Sequence, residues 1–303
     1  MMQAMNQTTT RLNGQLMERE PLARYTSWRV GGFADRMYKP SDIEDVQNYL
    51  RSLPSDESVL WLGLGSNVLI RDGGIRGSVI YTRGCLNQMC ETDDGMLYVE
   101  AGVPCALVAK LAAENNLSGA EFLAGIPGTM GGALAMNAGA FGGETWGLVN
   151  KVLLVNRQGD LIERQAAEFD VGYRSVSVAK DEWFVACYLA IPAGGNQQSR
   201  EKIRQLLVKR AETQPTKIAS GGSVFKNPQG YHAARLIEEL GLKGKQIGGA
   251  QVSEKHSNFI LNTGDASAED IERLIEFVKK EVQQKQGTLL QTEVHILGEA
   301  LEQ

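Results

Sequence analysis

The 303-residue chain reads as an α+β protein on three observations. Strand-like and helix-like segments alternate irregularly, without the steady β-α repeat of a doubly wound fold. The run Gly119 to Gly143, GAEFLAGIPGTMGGALAMNAGAFGG, is so rich in Gly and Ala and so poor in charge that it serves through its backbone. Glycine loses more conformational entropy on folding than any other residue, so this many are tolerated where backbone takes unusual dihedrals or approaches a ligand closely. The third observation is the linker Ala193-Gly-Gly-Asn-Gln-Gln-Ser199, where a domain boundary is expected.

Taken in order, residues 1–20 read as a loosely ordered lead-in. Asp42 to Leu53 places Ile43, Val46, Leu50 and Leu53 at helical spacing, with Ser41 as the expected N-cap and Pro54 as the stop. Ser58 to Leu62 is an apolar strand running into GLGSN, and SVIY at Ser78, YVEAG at Tyr98 and KVLLVNRQG at Lys151 are further strands. Pro104 to Asn116 reads as a helix, and FVACYLAIP as the strand before the linker. Beyond it come a charged helix from Ser199 to Thr213, stopped by Pro215, and a helix from Tyr231 to Leu240 with Gly241 as its C′ residue. A third helix from Ser267 to about Gln286 opens on Ser267-x-x-Asp270, a capping box with Asp in place of Glu or Gln. The final strand is LLQTEVHIL.

Composition narrows the function. No stretch approaches ~18 consecutive apolar residues and MMQAMNQTTTRLNGQLMERE has no apolar h-region, so neither a membrane span nor a signal peptide is expected. Cys85, Cys90, Cys105 and Cys187 form no CxxC pair, which fits reduced, buried thiols of a cytoplasmic protein. A net charge of -5 argues against nucleic acid as partner. No obligate protein partner is evident, and no metal-binding spacing is present.

Two loops invite an anion. In GLGSNVLI the third glycine of a dinucleotide fingerprint would fall on Val68, and at Gly241-Leu-Lys-Gly244-Lys245 a Walker loop fails on Gln246. The physics survives without the motif. Gly63, Gly65, Ser66 and Asn67 offer successive backbone N–H groups and two short polar side chains, the alternative being an ordinary tight turn. Ile126-Pro127-Gly128-Thr129 then sets a rigid turn before Gly131, Gly132 and a series of alanines, the alternative being tight helix-on-sheet packing. Two such loops about sixty residues apart suit a dinucleotide with a central pyrophosphate.

From TSWRVGGFAD at Thr26, through LGLGSNVLIRDGG, EFLAGIPGTMGGALAMNAGAFGGE, GYRS at Gly172, GGSVFKNP at Gly221 and IGGAQVSEKHSNFILN at Ile247, to TEVHILG at Thr292, the chain resembles the UDP-N-acetylenolpyruvoylglucosamine reductase family. The resemblance implies a two-lobed, vanillyl-alcohol-oxidase-type FAD-binding half, lobe 1 over residues 21–85 and lobe 2 over 86–196, then an α+β substrate-binding domain over 197–303. It assigns FAD contacts to Gly63, Gly65, Ser66, Asn67, Ile126, Pro127, Gly128, Thr129 and Gly132, with Arg29 and Asn137 in support. His232, His256 and His295 lie outside the flavin half, so the FAD is expected to be non-covalent. NADPH is the implied reductant and UDP-N-acetylglucosamine enolpyruvate the implied substrate.

The same resemblance makes Arg174, Ser223 and Glu293 the catalytic residues. A planar guanidinium suits a carboxylate and a developing enolate, although most arginines face solvent. Ser223 would protonate the carbanion, whereas its sequence alone reads as a loop hydrogen-bonder. Glu293 stands out on its own, because a carboxylate among Leu289, Leu290, Val294 and Ile296 is costly to bury unpaired. Asn227 matches a position on the UDP diphosphate, with Lys226, Lys217 and Lys255 as basic neighbours or plain solvated lysines. The chain departs from the family at Thr292, where proline is common, and at His295, where arginine is common. The interval from Arg174 to Ser223 is too short for the tyrosine-bearing loop of one subclass. Two rivals remain, an oxygen-using oxidase of the same fold and a non-catalytic nucleotide-sugar or phosphate-binding module.

Overall fold

The structure is a computed structural model describing residues 12–194 and 196–301. Residues 1–11 of the expected lead-in lie outside the described residues, but Gln15–Pro21 forms a strand, β1, antiparallel to β2 (Phe33–Lys39). Its mostly exposed residues leave no apolar alternation to read. What fixes it is a buried carboxylate one element away. Asp45 accepts from Asn13 N at 2.8 Å, Tyr38 OH at 2.6 Å and Ser41 N at 2.9 Å.

Helix α1 (Ile43–Ser52) is capped by Asp42, whose side chain accepts from Asp45 N at 2.8 Å. The expected cap, Ser41, is displaced because its own hydroxyl donates to the Asp42 carboxylate. Strands β3 (Val59–Leu62), β4 (Val68–Ile70) and β5 (Ile75–Tyr81) follow, and the first sheet has the order β1-β2-β5-β3. GLGSN thus leaves the sheet at the end of β3 and enters β4, which belongs to another ladder.

Lobe 2 is built from β6 (Met89–Glu91), β7 (Leu97–Glu100), α2 (Cys105–Glu114) and α3 (Met130–Met136). After the short hairpin β8 (Gly139–Ala140) and β9 (Gly143–Glu144) come β10 (Val149–Asn156), β11 (Leu161–Gln165), the hairpin β12 (Val171–Gly172) and β13 (Ser175–Val176), and β14 (Glu182–Leu189). The sheet is antiparallel in the order β11-β10-β14-β7-β6. Its core joins Val108, Leu123, Met130, Leu134, Val152 and Leu189, so the Gly/Ala run is held against a packed sheet. The four cysteines are free, Cys105 and Cys187 buried as expected. Cys85 is half-buried and Cys90 exposed, because Cys90 lies on the edge strand β6.

Helix α4 (Asn196–Thr213) begins inside the expected linker, three residues before Ser199, and does not open the next domain. It folds back on lobe 2, where Ser199 Oγ donates to Glu121 Oε1 at 2.6 Å and Lys202 lies 3.4 Å from the same carboxylate. Glu121 is 3 % exposed, and a carboxylate buried that deeply requires such partners. The chain crosses over only after Thr213.

The last domain holds α5 (Ala233–Glu239), the sheet β15 (Gln246–Ile247), β16 (Ala250–Val252) and β17 (Ile260–Asn262), then α6 (Ala268–Gln286) and β18 (His295–Leu297). Helix α5 starts two residues later than its sequence implies, since Asn227 Oδ1 accepts from Ala233 N at 3.0 Å and defines the first turn. The Ser267–Asp270 capping box is present in both directions. Of LLQTEVHIL only the end is a ladder strand, β18, and it pairs parallel with β4 of lobe 1. Lobe 1 also sends Arg71 to Glu272 with two bonds of 2.9 and 2.7 Å, and Asp72 to the amides of Ala268 and Glu269 at the head of α6. Trp28, fully buried, donates from its indole N–H to Ile260 O at 2.8 Å.

Asp45 yields a stability prediction. Burial pushes its carboxyl up, but hydrogen bonds from Tyr38, Asn13 and Ser41 outweigh that and hold it below the ordinary aspartate value. Its contribution is therefore present above the unfolded-state value of about 3.9 and lost as pH falls through the lower folded-state value. Asp45→Asn should cost about 1–3 kcal/mol at neutral pH in urea unfolding, and the gap from the parent protein should narrow toward pH 3. A gap that stays constant with pH would exclude an ionised Asp45 as its source.

Candidate functional site

The two glycine loops meet. Gly65 takes φ +68°, a left-handed backbone that favours glycine, and its carbonyl accepts from Ser27 N at 3.0 Å. A Cβ on Gly63 would collide with Oγ1 of Thr129, so only glycine lets the loops close this far. The second loop is pinned from behind, with Cys105 N donating to Gly128 O at 3.0 Å and Met130 N to Val103 O at 2.9 Å.

The contact leaves a surface of unspent donors. Among the described residues the backbone amides of Gly65, Ser66, Asn67 and Gly132 donate to no protein acceptor. Thr129 Oγ1 is buried without a hydrogen-bond partner, although Thr129 sits at the N-cap of α3 where its hydroxyl would ordinarily cap. A buried hydroxyl left unpaired costs free energy. A concave, uncharged set of N–H and O–H donors is what the pyrophosphate of an FAD requires, so these residues fit the group that the sequence implied. Ile126 and Pro127 lead into this loop, and Ile126 packs on the lobe 2 core.

Of the two supporting candidates, one is engaged elsewhere. Arg29 is exposed on the loop that carries Ser27, at φ +59°. Asn137 is 2 % exposed and spends its side chain on Glu144, Gly172 O and Trp146 N. Asn67 faces inward: its amide donates to Glu293 O at 3.0 Å and to Met136 Sδ at 2.8 Å. The cofactor loop thus touches the segment that carries the expected catalytic glutamate.

Arg174 occupies the tight turn between β12 and β13 at φ +54°. A side chain there is strained by about 1–3 kcal/mol, a strain that clusters at functional sites. Its Nε donates to Glu293 Oε1 at 2.9 Å, Nη2 to Gly139 O at 2.8 Å and Nη1 to Asn137 O at 3.4 Å. A guanidinium has five N–H donors, so one remains on each terminal nitrogen, a fork suited to a carboxylate. Glu293 lies just before β18 rather than inside it, fixed by Glu293 N to Val224 O at 2.7 Å. Burial pushes its carboxyl up, against the pull of Arg174 and then Lys226.

Ser223, Arg174 and Glu293 all line one cleft of about 330 Å³. The Ser223 hydroxyl makes no hydrogen bond within the described residues, which leaves its proton free for a ligand. Asn258 holds the segment that carries it, accepting from Phe225 N at 3.0 Å and donating to Phe225 O at 2.9 Å. Tyr173, His232, His256 and Asn258 also line this cleft, and the sequence had not marked them individually. The HSNF segment at His256 carried the signal without saying which of its residues faced the site.

The remaining candidates divide. Asn227 lines the cleft while capping α5. Lys226 lies on the far side of the ion pair, in a second cleft. Lys217 is exposed and lines neither, and Lys255 donates to Ala211 O at the end of α4.

Comparison with known proteins identifies the family. Residues 34–164 match the FAD binding domain family, and residues 214–297 match the C-terminal domain of UDP-N-acetylenolpyruvoylglucosamine reductase. The UDP-N-acetylenolpyruvoylglucosamine reductase of Methylococcus capsulatus is 56 % identical over 95 % of this chain and 94 % of its own length, and that of Legionella pneumophila strain Philadelphia 1 is 54 % identical over 96 % and 95 %. The crystal structure of the Thermus caldophilus reductase superposes with a TM-score of 0.80 at 30 % identity, covering 94 % of this chain and 98 % of that one.

The unpaired Thr129 hydroxyl can be tested directly. Thr129→Val keeps the shape and removes the donor, so FAD should dissociate roughly tenfold more readily, read from the fluorescence of released flavin, with the unfolding midpoint of the apoprotein little changed. Unaltered FAD affinity would show that this hydroxyl does not hold the cofactor.

Proposed function

The chain belongs to the UDP-N-acetylenolpyruvoylglucosamine reductase family, and from that premise we propose that it reduces UDP-N-acetylglucosamine enolpyruvate to UDP-N-acetylmuramate for peptidoglycan synthesis, with FAD as cofactor and NADPH as reductant. The observation that carries this reading is the convergence of Arg174, Ser223 and Glu293, from three separate segments, on one cleft reached by the cofactor loop through Asn67. No helix among the described residues is long and apolar enough to cross a membrane, and a cytoplasmic setting suits a substrate and reductant that are both small and anionic.

Bound FAD supplies a two-electron carrier that takes hydride from NADPH and gives it to the terminal carbon of the enol ether. The residues of this chain manage the charge that results. Carbanion character at the neighbouring carbon delocalises into the attached carboxylate, and the two remaining N–H groups of Arg174 hold that carboxylate and the growing enolate charge. Glu293 keeps the guanidinium oriented by accepting from Nε. Ser223 gives its Oγ proton to the substrate carbon and recovers one from water. A serine hydroxyl is a weak acid, so the alkoxide that forms must be stabilised by Arg174, which lines the same cleft.

In an anaerobic experiment, NADPH should bleach the bound flavin and the enolpyruvyl nucleotide sugar should restore its colour. A flavin that stays reduced after the sugar is added would overturn the assignment. In Ser223→Ala the bleaching should survive while recovery of colour slows by ~10²–10⁴, the worth of a positioned proton donor. Equal slowing of both steps would make Ser223 structural.

A further inference from the structure

Two clefts meet at the Arg174–Glu293 pair. The second, of about 440 Å³, is walled by Arg71, Lys226, Glu272, Glu276, Lys279 and His295 and ends on the pair itself. Most of its charges are neutralised by a close partner. Arg71 holds Glu272, Lys279 lies 2.8 Å from Glu276, and Arg174 lies 2.9 Å from Glu293.

Lys226 is different. Among the described residues no carboxylate lies within ion-pair distance of it, and its Nζ donates instead to the backbone carbonyl of Arg174 at 3.5 Å. Its backbone is fixed, with Lys226 N donating to Gln291 O at 2.9 Å beside the Phe225–Thr292 bridge. An ammonium held against a single neutral acceptor in a half-buried place is poorly compensated. The carbonyl it holds belongs to Arg174, a non-glycine residue held at φ +54°.

We propose that Lys226 is a positioning residue for the reaction proposed above: it clamps the turn that presents Arg174 and supplies the second positive charge that keeps Glu293 ionised and paired. The inference rests on the catalytic reading and gives Lys226 a task other than holding the substrate diphosphate. The groups facing Glu293 are consistent with it. Arg174 comes from the β12–β13 turn and Lys226 from the segment after Ser223. His295, two residues on, is pushed toward its neutral form by burial and by Lys226. The α6 side contributes Glu272, Glu276 and Lys279, with Arg71 from the end of β4, and there each acid has a cation against it.

The test uses the FAD-loaded protein and Lys226→Met, with Lys226→Gln as a second variant should the first fail to fold. The Glu293 carboxyl band, identified in pH-difference infrared spectra by its loss in Glu293→Gln, should titrate at higher pH without Lys226. The Glu293 limb in the pH profile of flavin reoxidation by the enolpyruvyl sugar should move up with it, KM should stay within about twofold, and Lys226→Arg should restore the profile. A carboxyl titration that does not move would overturn the proposal. So would a KM raised tenfold or more with an unmoved profile, which is the signature of a diphosphate ligand. If Glu293→Gln leaves reoxidation intact, the catalytic reading fails, while the infrared titration still reports whether Lys226 acts on Glu293.

Discussion

Everything in the site depends on the pairing of Arg174 with Glu293 across the boundary between lobe 2 and the last domain. The two side chains are 18 % and 15 % exposed, so the pair is largely withdrawn from water. Removing two charges from water costs about as much as their attraction returns, and such pairs are weak evidence for stability. This one is bought with a strained turn as well. An arrangement that gains so little stability yet is built from three segments makes sense as a device for holding an arginine fork at one point.

The fold supplies what the pair needs by crossing the domain boundary repeatedly. Glu293 is held on its amide by Val224, on its carbonyl by Asn67 and just downstream by the parallel ladder of β18 with β4. The stretch from Gly63 to Asp72 therefore does three things in ten residues. It exposes amides without a protein acceptor, it supplies the ladder partner of β18, and through Arg71 and Asp72 it seizes the head of α6. The glycine loop proposed for the cofactor and the carboxylate of Glu293 are fixed to the same short strand, so they cannot be displaced independently.

Much of this was legible in the sequence, for physical reasons that differ between levels. Helices α1 and α4 announced themselves by amphipathic pattern and a proline stop, although the cap of α1 is Asp42 rather than Ser41, and the Ser267–Asp270 box of α6 was read down to its residues. The two anion loops were legible because glycine density has few other uses. The edge strand β1 was not, because its residues are polar on both faces and its anchor, Asp45, lies in the next helix but one element away. The return of α4 onto lobe 2 was hidden likewise, since it depends on Glu121 finding partners 78 and 81 residues later in the chain. Ser223 shows the limit most clearly. Nothing local separates it from any serine in a glycine-rich loop, and its position beside Arg174 and Glu293 is a product of the whole fold.

A division of labour follows between backbone and side chains. The end of the site proposed for the cofactor offers amides and the Thr129 hydroxyl without a formal charge, which would suit a ligand that stays bound and whose phosphates carry the charge themselves. The end proposed for the reaction carries the Arg174–Glu293 pair, and in the proposed reaction a proton moves there and charge appears and vanishes within a turnover. Backbone donors are fixed by the fold and cannot titrate, so they cannot release or take up that proton. Ionisable side chains can, but only if neighbours hold their protonation state, which is why Glu293 is flanked by Arg174 on one side and Lys226 on the other while burial pushes against both.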